Sequence, residues 1–329
     1  MNPPSTETSP AFWSFGNGHG EIADGAVDHS GDSTDRVEMK TLFSAISRGS
    51  ESLVFNGRVP VSEYQRMRAP SQQGDFPGPV CYGYMNVGRI VDGPEAMLGR
   101  YGFCLFPHQQ RYRVPAGAVT LLPAEVPPER AVLAANLETA INGLWDGAPL
   151  VGDRIAVVGC GVVGCLVAWL ASRIPGARVT AVDPNARREP VLESLGVAWA
   201  PALDRDDHDL VFHTSGQPSG LETALGLAGN EGRIIEMSWY GEQAVPARLG
   251  GSFHSRRLTL RSSQVGQLSP RQAPRWSHAD RMALAMTQLA DPVLDNLISG
   301  ESAFAELPRV MAGLARGDAD ALCHRIRYP

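Results

Sequence analysis

Lysine is all but absent from this 329-residue chain. Lys40 is the single one, and the other 28 of the 29 basic residues are arginine, a bias read here as that of a GC-rich genome. Any Schiff-base chemistry would have to run through Lys40, whose setting, Val37-Glu38-Met39-Lys40-Thr41-Leu42, reads as an ordinary strand. Positive charge is not in excess: 29 Lys and Arg stand against 35 Asp and Glu, a net charge of −6. That balance argues against a nucleic-acid or anionic-membrane partner. The five cysteines, Cys81, Cys104, Cys160, Cys165 and Cys323, contain no Cys-x2-Cys pair. A zinc cluster or disulfide framework is therefore not expected, and a reduced, cytoplasmic setting is. Residues 1–10 have neither a basic start nor an apolar core, so they read as a disordered tail and not a signal peptide. One long run lacks charge, Ile155 to Ser172. Its early glycines and β-branched residues make it a buried strand, a tight turn and a buried helix, and not a membrane span.

The length suits about two domains, and a composition of 43% apolar and 19% charged residues is that of a folded chain. From Ala11 to about Val126 the signals are short strands and turns, such as Phe76-Pro77-Gly78-Pro79 and Val87-Gly88-Arg89-Ile90-Val91. The pattern changes at Pro127-Pro128, a good helix start. Strands and helices then alternate: strands at Arg154–Val158, Arg178–Val182, Asp209–His213, Arg233–Met237 and Leu258–Ser262, with helices at Val162–Arg173, Ala186–Leu195 and Pro218–Ala228. This spacing implies a parallel sheet with right-handed crossovers. The end reads as a helix (Arg281–Leu289), a strand (Val293–Ile298), a helix (Phe304–Ala315) and a strand (Ala321–Arg327) that could return to the first domain. The expected division is 11–126 with 267–329, and 127–266.

Gly159-Cys160-Gly161-Val162-Val163-Gly164 is a Gly-x-Gly-x-x-Gly that follows one expected strand and opens one expected helix. The first glycine allows the turn, the second the approach of a pyrophosphate, and the third close helix–strand packing. The backbone N–H groups of Val162 and Val163 then face the phosphates. Asp183 ends the next strand, 19 residues past Gly164; a carboxylate there accepts from both ribose hydroxyls and repels a 2′-phosphate. NAD(H) is expected over NADP(H), with Arg187 and Arg188 keeping NADP(H) in play. Ser215 and Gly216 beyond the fourth strand, and Ser238 and Trp239 beyond the fifth, are further cofactor candidates.

The order of a β-rich domain, a Pro-started helix, a dinucleotide fold and a returning end resembles the medium-chain dehydrogenase/reductase superfamily, from Ala11 onward. The resemblance implies an α/β protein with a GroES-like β-barrel catalytic domain, completed by the C-terminus, beside a Rossmann doubly wound parallel-sheet domain, and an active site in the cleft between them. Three segments resemble the zinc-bearing landmarks of that family: Ala45 to Glu51, Cys81 to Gly88 and Leu133 to Ala140. Where ligands are expected there stand Ser47 or Arg48, Tyr84 and Ala135. A catalytic zinc needs three protein ligands, so the chain is similar to zinc-free members, with a loose likeness to the bacteriochlorophyllide hydroxyethyl dehydrogenase branch in Ser47-Arg48-Gly49-Ser50-Glu51 and Phe106-Pro107-His108-Gln109. The resemblance also places Thr139 where the nicotinamide carboxamide is held.

Without a metal, protein groups must stabilise charge and deliver a proton. The catalytic candidates are Glu138, His108, Tyr84 and Ser50, with Ser47, Arg48 and Glu51 lining the substrate. A Glu138–Arg48 ion pair would fill the vacated metal position. The expected activity is zinc-independent hydride transfer between nicotinamide and a small secondary alcohol or ketone, or an activated double bond, by a homodimer joined through Leu258-Thr259-Leu260. Two other readings stay open: a dinucleotide-binding sensor without turnover, and a zinc enzyme using His108, Glu138 and Cys104.

Overall fold

The computed structural model describes residues 7–28 and 35–329 and divides the chain into two compact units. The second unit, Asn136–Ala285 with Asp291–Leu297, is built on six parallel strands: β1 (Arg154–Val158), β2 (Arg178–Val182), β3 (Ala198–Ala200), β4 (His208–His213), β5 (Ala228–Glu236) and β6 (Thr259–Ser262). They lie in the order β3-β2-β1-β4-β5-β6, the doubly wound arrangement, with the strand order reversing beside β1. Val157 of β1 pairs with Ala181 on one side and Phe212 on the other. Residues Ile155–Val158 are buried throughout, as befits a central strand covered on both faces. Ala156, Val158, Val211, Leu221, Leu225 and Ile234 form part of one apolar core under the helix Pro218–Leu227. The uncharged run resolves into β1, a turn and the helix Val162–Ser172, and among the described residues no helix is long and apolar enough to cross a membrane.

The first unit comprises residues up to Ala135, Met286–Ala290 and Ile298–Pro329. Its larger sheet has seven strands in the order Ile298–Ala303, Cys323–Arg327, Arg36–Ile46, Asn86–Asp92, Tyr101–Cys104 and Val119–Leu121, with Arg111–Pro115 also paired to Arg36–Ile46. A four-stranded sheet holds Thr8–Ser14 and Gly20–Ala26 with Val80–Cys81 and Gln73–Gly74. Lys40 sits exposed in the Arg36–Ile46 strand, as expected. The helix Leu307–Arg316 buries Leu307, Met311 and Leu314, one stripe at the 3.6-residue period, among Phe12, Phe55 and Ile326.

Several elements differ from the sequence reading. The expected tail is ordered from Thr8, because Thr8–Ser14 finds a full antiparallel partner in Gly20–Ala26; the rest of that tail, residues 1–6, lies outside the described residues. The structural boundary comes later than 126/127. Arg130 donates to the Leu289 and Ala290 carbonyls and Arg325 to that of Glu129, which holds the helix Pro128–Ala131 to the first unit. Residues 267–285 count with the second unit, where the Arg281 guanidinium is fixed. Val293–Ile298 is not a strand: Pro292–Leu297 is a 3₁₀ turn and the strand begins at Ile298. Pro190 at the helix start leaves Ala186–Arg188 as a 3₁₀ turn before the helix Glu189–Ser194. The helix Arg48–Phe55 went unforeseen; it is only eight residues long.

Candidate functional site

The glycine turn between β1 and the helix Val162–Ser172 discriminates among its three glycines. Gly159 has φ +98°, and a Cβ on it would come within 2.5 Å of the Ser215 backbone. A Cβ on Gly164 would lie 1.9 Å from the Gly159 carbonyl oxygen. Both are glycine because the backbone leaves no room. Gly161 has an ordinary φ of −70° and nothing within 4 Å of where its Cβ would be. Its bareness opens space above the helix N-terminus, beside the backbone of Val162 and Val163. This is the requirement of a pyrophosphate cradle.

Asp183 follows β2 and is tied to that turn. Its Oδ2 accepts from the Cys160 N–H at 2.7 Å and its Oδ1 from the Asn185 N–H at 2.9 Å. Each carboxylate oxygen keeps a second lone pair for a hydroxyl donor. Arg187 is exposed, while Arg188 is 7% exposed with its charge acting on Cys160 and Cys165. Cys160 is no nucleophile: burial pushes its thiol well above the ordinary value.

At the carboxyl ends of β4 and β5 a polar ring joins two turns. His213 is fully buried, its Nδ1 2.7 Å from Glu236 Oε2 and its Nε2 2.6 Å from Ser215 Oγ. The carboxylate can only accept, so the Nδ1–H donates to it, while Nε2 and the Ser215 hydroxyl share a hydrogen bond. Glu236 Oε1 accepts from the Ser238 N–H, Oε2 accepts from the Tyr240 hydroxyl, and the Gly216 N–H donates to Ser238 Oγ. Burial would raise the Glu236 carboxyl, but its bonds from His213 and Ser238 outweigh that and hold it below the usual glutamate value. Trp239 stands half-buried between Ser238 and Tyr240.

Glu138 and Thr139 lie in the helix Ala134–Gly147, Thr139 half-buried. The expected Glu138–Arg48 pair does not form. Glu138 Oε1 accepts from Arg281 Nε at 3.0 Å, and the same guanidinium donates to Asn142 Oδ1 and the Val265 carbonyl. Arg48 instead donates to the Ala321 carbonyl at 3.2 Å. Burial raises the Glu138 carboxyl and Arg281 draws it back. This is a buried ion pair.

The remaining candidates gather in the first unit. Ser47 precedes the helix Arg48–Phe55, and the Glu51 side chain folds back so that Oε1 accepts from the Ser47 N–H at 2.8 Å, a carboxylate placed at a helix N-terminus. Glu51 Oε2 accepts from His108 Nε2 at 2.8 Å; His108 Nδ1 shares a 2.7 Å hydrogen bond with the Ser44 hydroxyl, whose oxygen bonds the Tyr328 hydroxyl at 3.0 Å. His108, 1% exposed, is part of this core network and not a solvated loop residue. The Tyr84 hydroxyl donates to Ser47 Oγ at 2.5 Å and lies near the Ser50 side chain. Burial raises the Tyr84 phenol, so it stays protonated and serves as a donor. Ser44, Ser47, Glu51, His108 and Tyr328 are each under 9% exposed, whereas Tyr84 and Ser50 are half-buried and form the reachable end of the cluster. Ser44 and Tyr328 had no local signal in the sequence, since their bond spans 284 positions.

The donors at the expected metal positions do not suit zinc. Ser47, Arg48, Tyr84 and Ala135 supply hydroxyls, a guanidinium and a methyl, and among the described residues no three His, Cys, Asp or Glu side chains gather to hold a metal. The alternative set fares no better: His108 is committed to Glu51 and Ser44, Glu138 to Arg281, and burial pushes the Cys104 thiol up to about 12.

No family model matches the chain. It is 28% identical over 139 residues to L-threonine 3-dehydrogenase of Bacillus velezensis, covering 38% of this chain and 40% of that protein. It is 26% identical over 154 residues to L-idonate 5-dehydrogenase (NAD(P)(+)) of Escherichia coli, covering 42% and 45%. The chain thus spans less than half the length of these curated relatives. Among solved structures, L-idonate 5-dehydrogenase of Escherichia coli superposes with a TM-score of 0.78 at 15% identity over 98% of this chain and 99% of that one. An alcohol dehydrogenase from Thermus sp. ATN1 gives 0.73 at 19% over 97% and 100%. The fold is that of these two-unit dehydrogenases: a GroES-like unit and a Rossmann unit.

Proposed function

We propose that the chain is an oxidoreductase moving hydride between a nicotinamide dinucleotide, NAD(H) in preference to NADP(H), and a secondary alcohol or ketone of a small metabolite, without a catalytic metal. The observation that carries this reading is the glycine turn, where two glycines are forced by packing and the third, Gly161, is bare toward open space. Gly161, Val162 and Val163 would hold the pyrophosphate and Asp183 the ribose, its charge disfavouring a 2′-phosphate. Ser215, Gly216, Ser238, Trp239 and Thr139 are the further contacts proposed. When bound, the dinucleotide supplies the hydride donor or acceptor. The relatives named for threonine and idonate oxidation favour a secondary alcohol over an activated double bond.

Proton handling is assigned to Tyr84 and Ser50, the reachable end of the first unit's cluster. A phenol held protonated donates a hydrogen bond to a substrate oxygen as charge builds there. Ser47 orients Tyr84, and the Glu51–His108 pair fixes Ser47 through its backbone. Glu138 is left as a structural group. A second copy is placed against β6, the outer strand of its sheet, where Thr259, Leu260 and Ser262 are exposed; Leu260→Arg is expected to shift the mass in light scattering to that of one chain.

The test contrasts two glycines. Gly161→Val keeps stability within about 1 kcal/mol, as its side chain meets nothing, yet loses NADH binding in calorimetry. Gly164→Val unfolds the protein. Wild-type protein that ignores both NADH and NADPH, or that binds them yet oxidises no secondary alcohol in a broad panel when supplied with NAD+ or NADP+, overturns the proposal; the second result favours the sensor.

A further inference from the structure

Asn136 opens the second unit, in the first turn of the helix Ala134–Gly147, and is 5% exposed. Its Oδ1 is buried and has no hydrogen-bond partner among the described residues. A buried amide oxygen left without a donor is destabilising, and folded proteins retain few of them. The helix shows where this one lies. A Cβ on Gly147 would meet Phe212 at 2.9 Å and Ile235 at 3.3 Å, the penultimate residues of β4 and β5. A Cβ on Gly143 would meet Met237, the residue just past β5, at 2.5 Å. Toward its N-terminus the helix therefore runs past the carboxyl ends of the strands. Asn136 is seven residues before Gly143, two turns along the same face and about 10 Å further out. That places its amide over the side of the sheet where open α/β folds bind ligands.

We propose that Asn136 Oδ1 accepts the N–H of a primary carboxamide, the one carried by the pyridine ring of the dinucleotide, and so determines which ring the site retains. The inference rests on the dinucleotide reading above. A carboxamide matches an asparagine amide, since each offers one donor group and one acceptor.

The probes are NADH, its reduced 3-acetylpyridine analogue, in which a methyl replaces the amide NH₂, and ADP-ribose, which lacks the ring. Dissociation constants would be measured by calorimetry on wild type, Asn136→Ala and the near-isosteric Asn136→Leu. Wild type is expected to favour NADH over the analogue by about tenfold, and both variants by less than about twofold, with ADP-ribose binding unchanged. Asn136→Leu is also expected to melt no lower than wild type without ligand, because it removes an unsatisfied group. Equal discrimination by all three proteins, or a large loss of ligand-free stability in Asn136→Leu, overturns the assignment of Asn136 alone. Failure of wild type to bind ADP-ribose and NADH overturns the dinucleotide reading with it.

Discussion

His108 and Glu51 in the first unit, and His213 and Glu236 in the second, are bonded at nearly the same length, 2.8 and 2.7 Å. Their surroundings differ. Glu51 and His108 are both enclosed, and their further bonds run to the Ser47 backbone and to Ser44, within the core of the unit. Glu236 is more open, at 15% side-chain exposure, and its bonds reach the backbone of Ser238 and the hydroxyl of Tyr240 at a sheet edge. The same pair of residue types thus braces a core in one place and ties together two turns at the carboxyl ends of strands in the other. What decides between these is the company of the glutamate, not the histidine–glutamate contact.

That contrast can be broken by experiment. The largest effect is expected from Glu51→Ala, which strands His108 Nε2–H and the Ser47 N–H in a dry interior. A loss of about 3 kcal/mol or more should appear as an earlier urea midpoint; if Glu236→Gln loses as much, the two pairs do the same job. Next comes Tyr84→Phe. Turnover should fall about 100-fold while the urea midpoint barely moves; an unchanged rate would remove Tyr84 from proton handling. Glu236→Gln should weaken NADH binding about tenfold in calorimetry by loosening both turns, and unchanged affinity would reduce that ring to packing. The smallest effect is in acid. The Glu236 carboxyl lies below its usual value when folded, so its contribution to stability is complete above the unfolded glutamate value of about 4.5 and fades as pH falls through the lower folded one. Unfolding free energies between pH 6 and about pH 3 should decline less steeply in Glu236→Gln than in wild type.

The sequence showed the second unit more fully than the first, for a physical reason. A doubly wound sheet is made of local units, each a buried strand and a helix, and its phosphate turn is six consecutive residues, so β1, β2, the helix after Gly161 and Asp183 could all be read directly. The cluster around Glu51 is assembled from four segments far apart in the chain, residues 44–51, Tyr84, His108 and Tyr328. His108, in a Pro-His-Gln turn, gave no sign that Ser44 and Tyr328 would close over it. The partner expected for Glu138, Arg48, was wrong for the same cause, the observed partner Arg281 lying 143 positions away. The short strand β3 and the helix Arg48–Phe55 were missed because each is too short to show a period.

The solitary ammonium at Lys40, displayed on an outward position of a long strand, has a practical corollary. The other 28 of the lysine and arginine side chains are guanidinium groups, inert to acylating dyes and crosslinkers, so such amine-directed reagents find one side-chain address. A fluorophore coupled there would report on the first unit alone, leaving the side chains of the second chemically untouched.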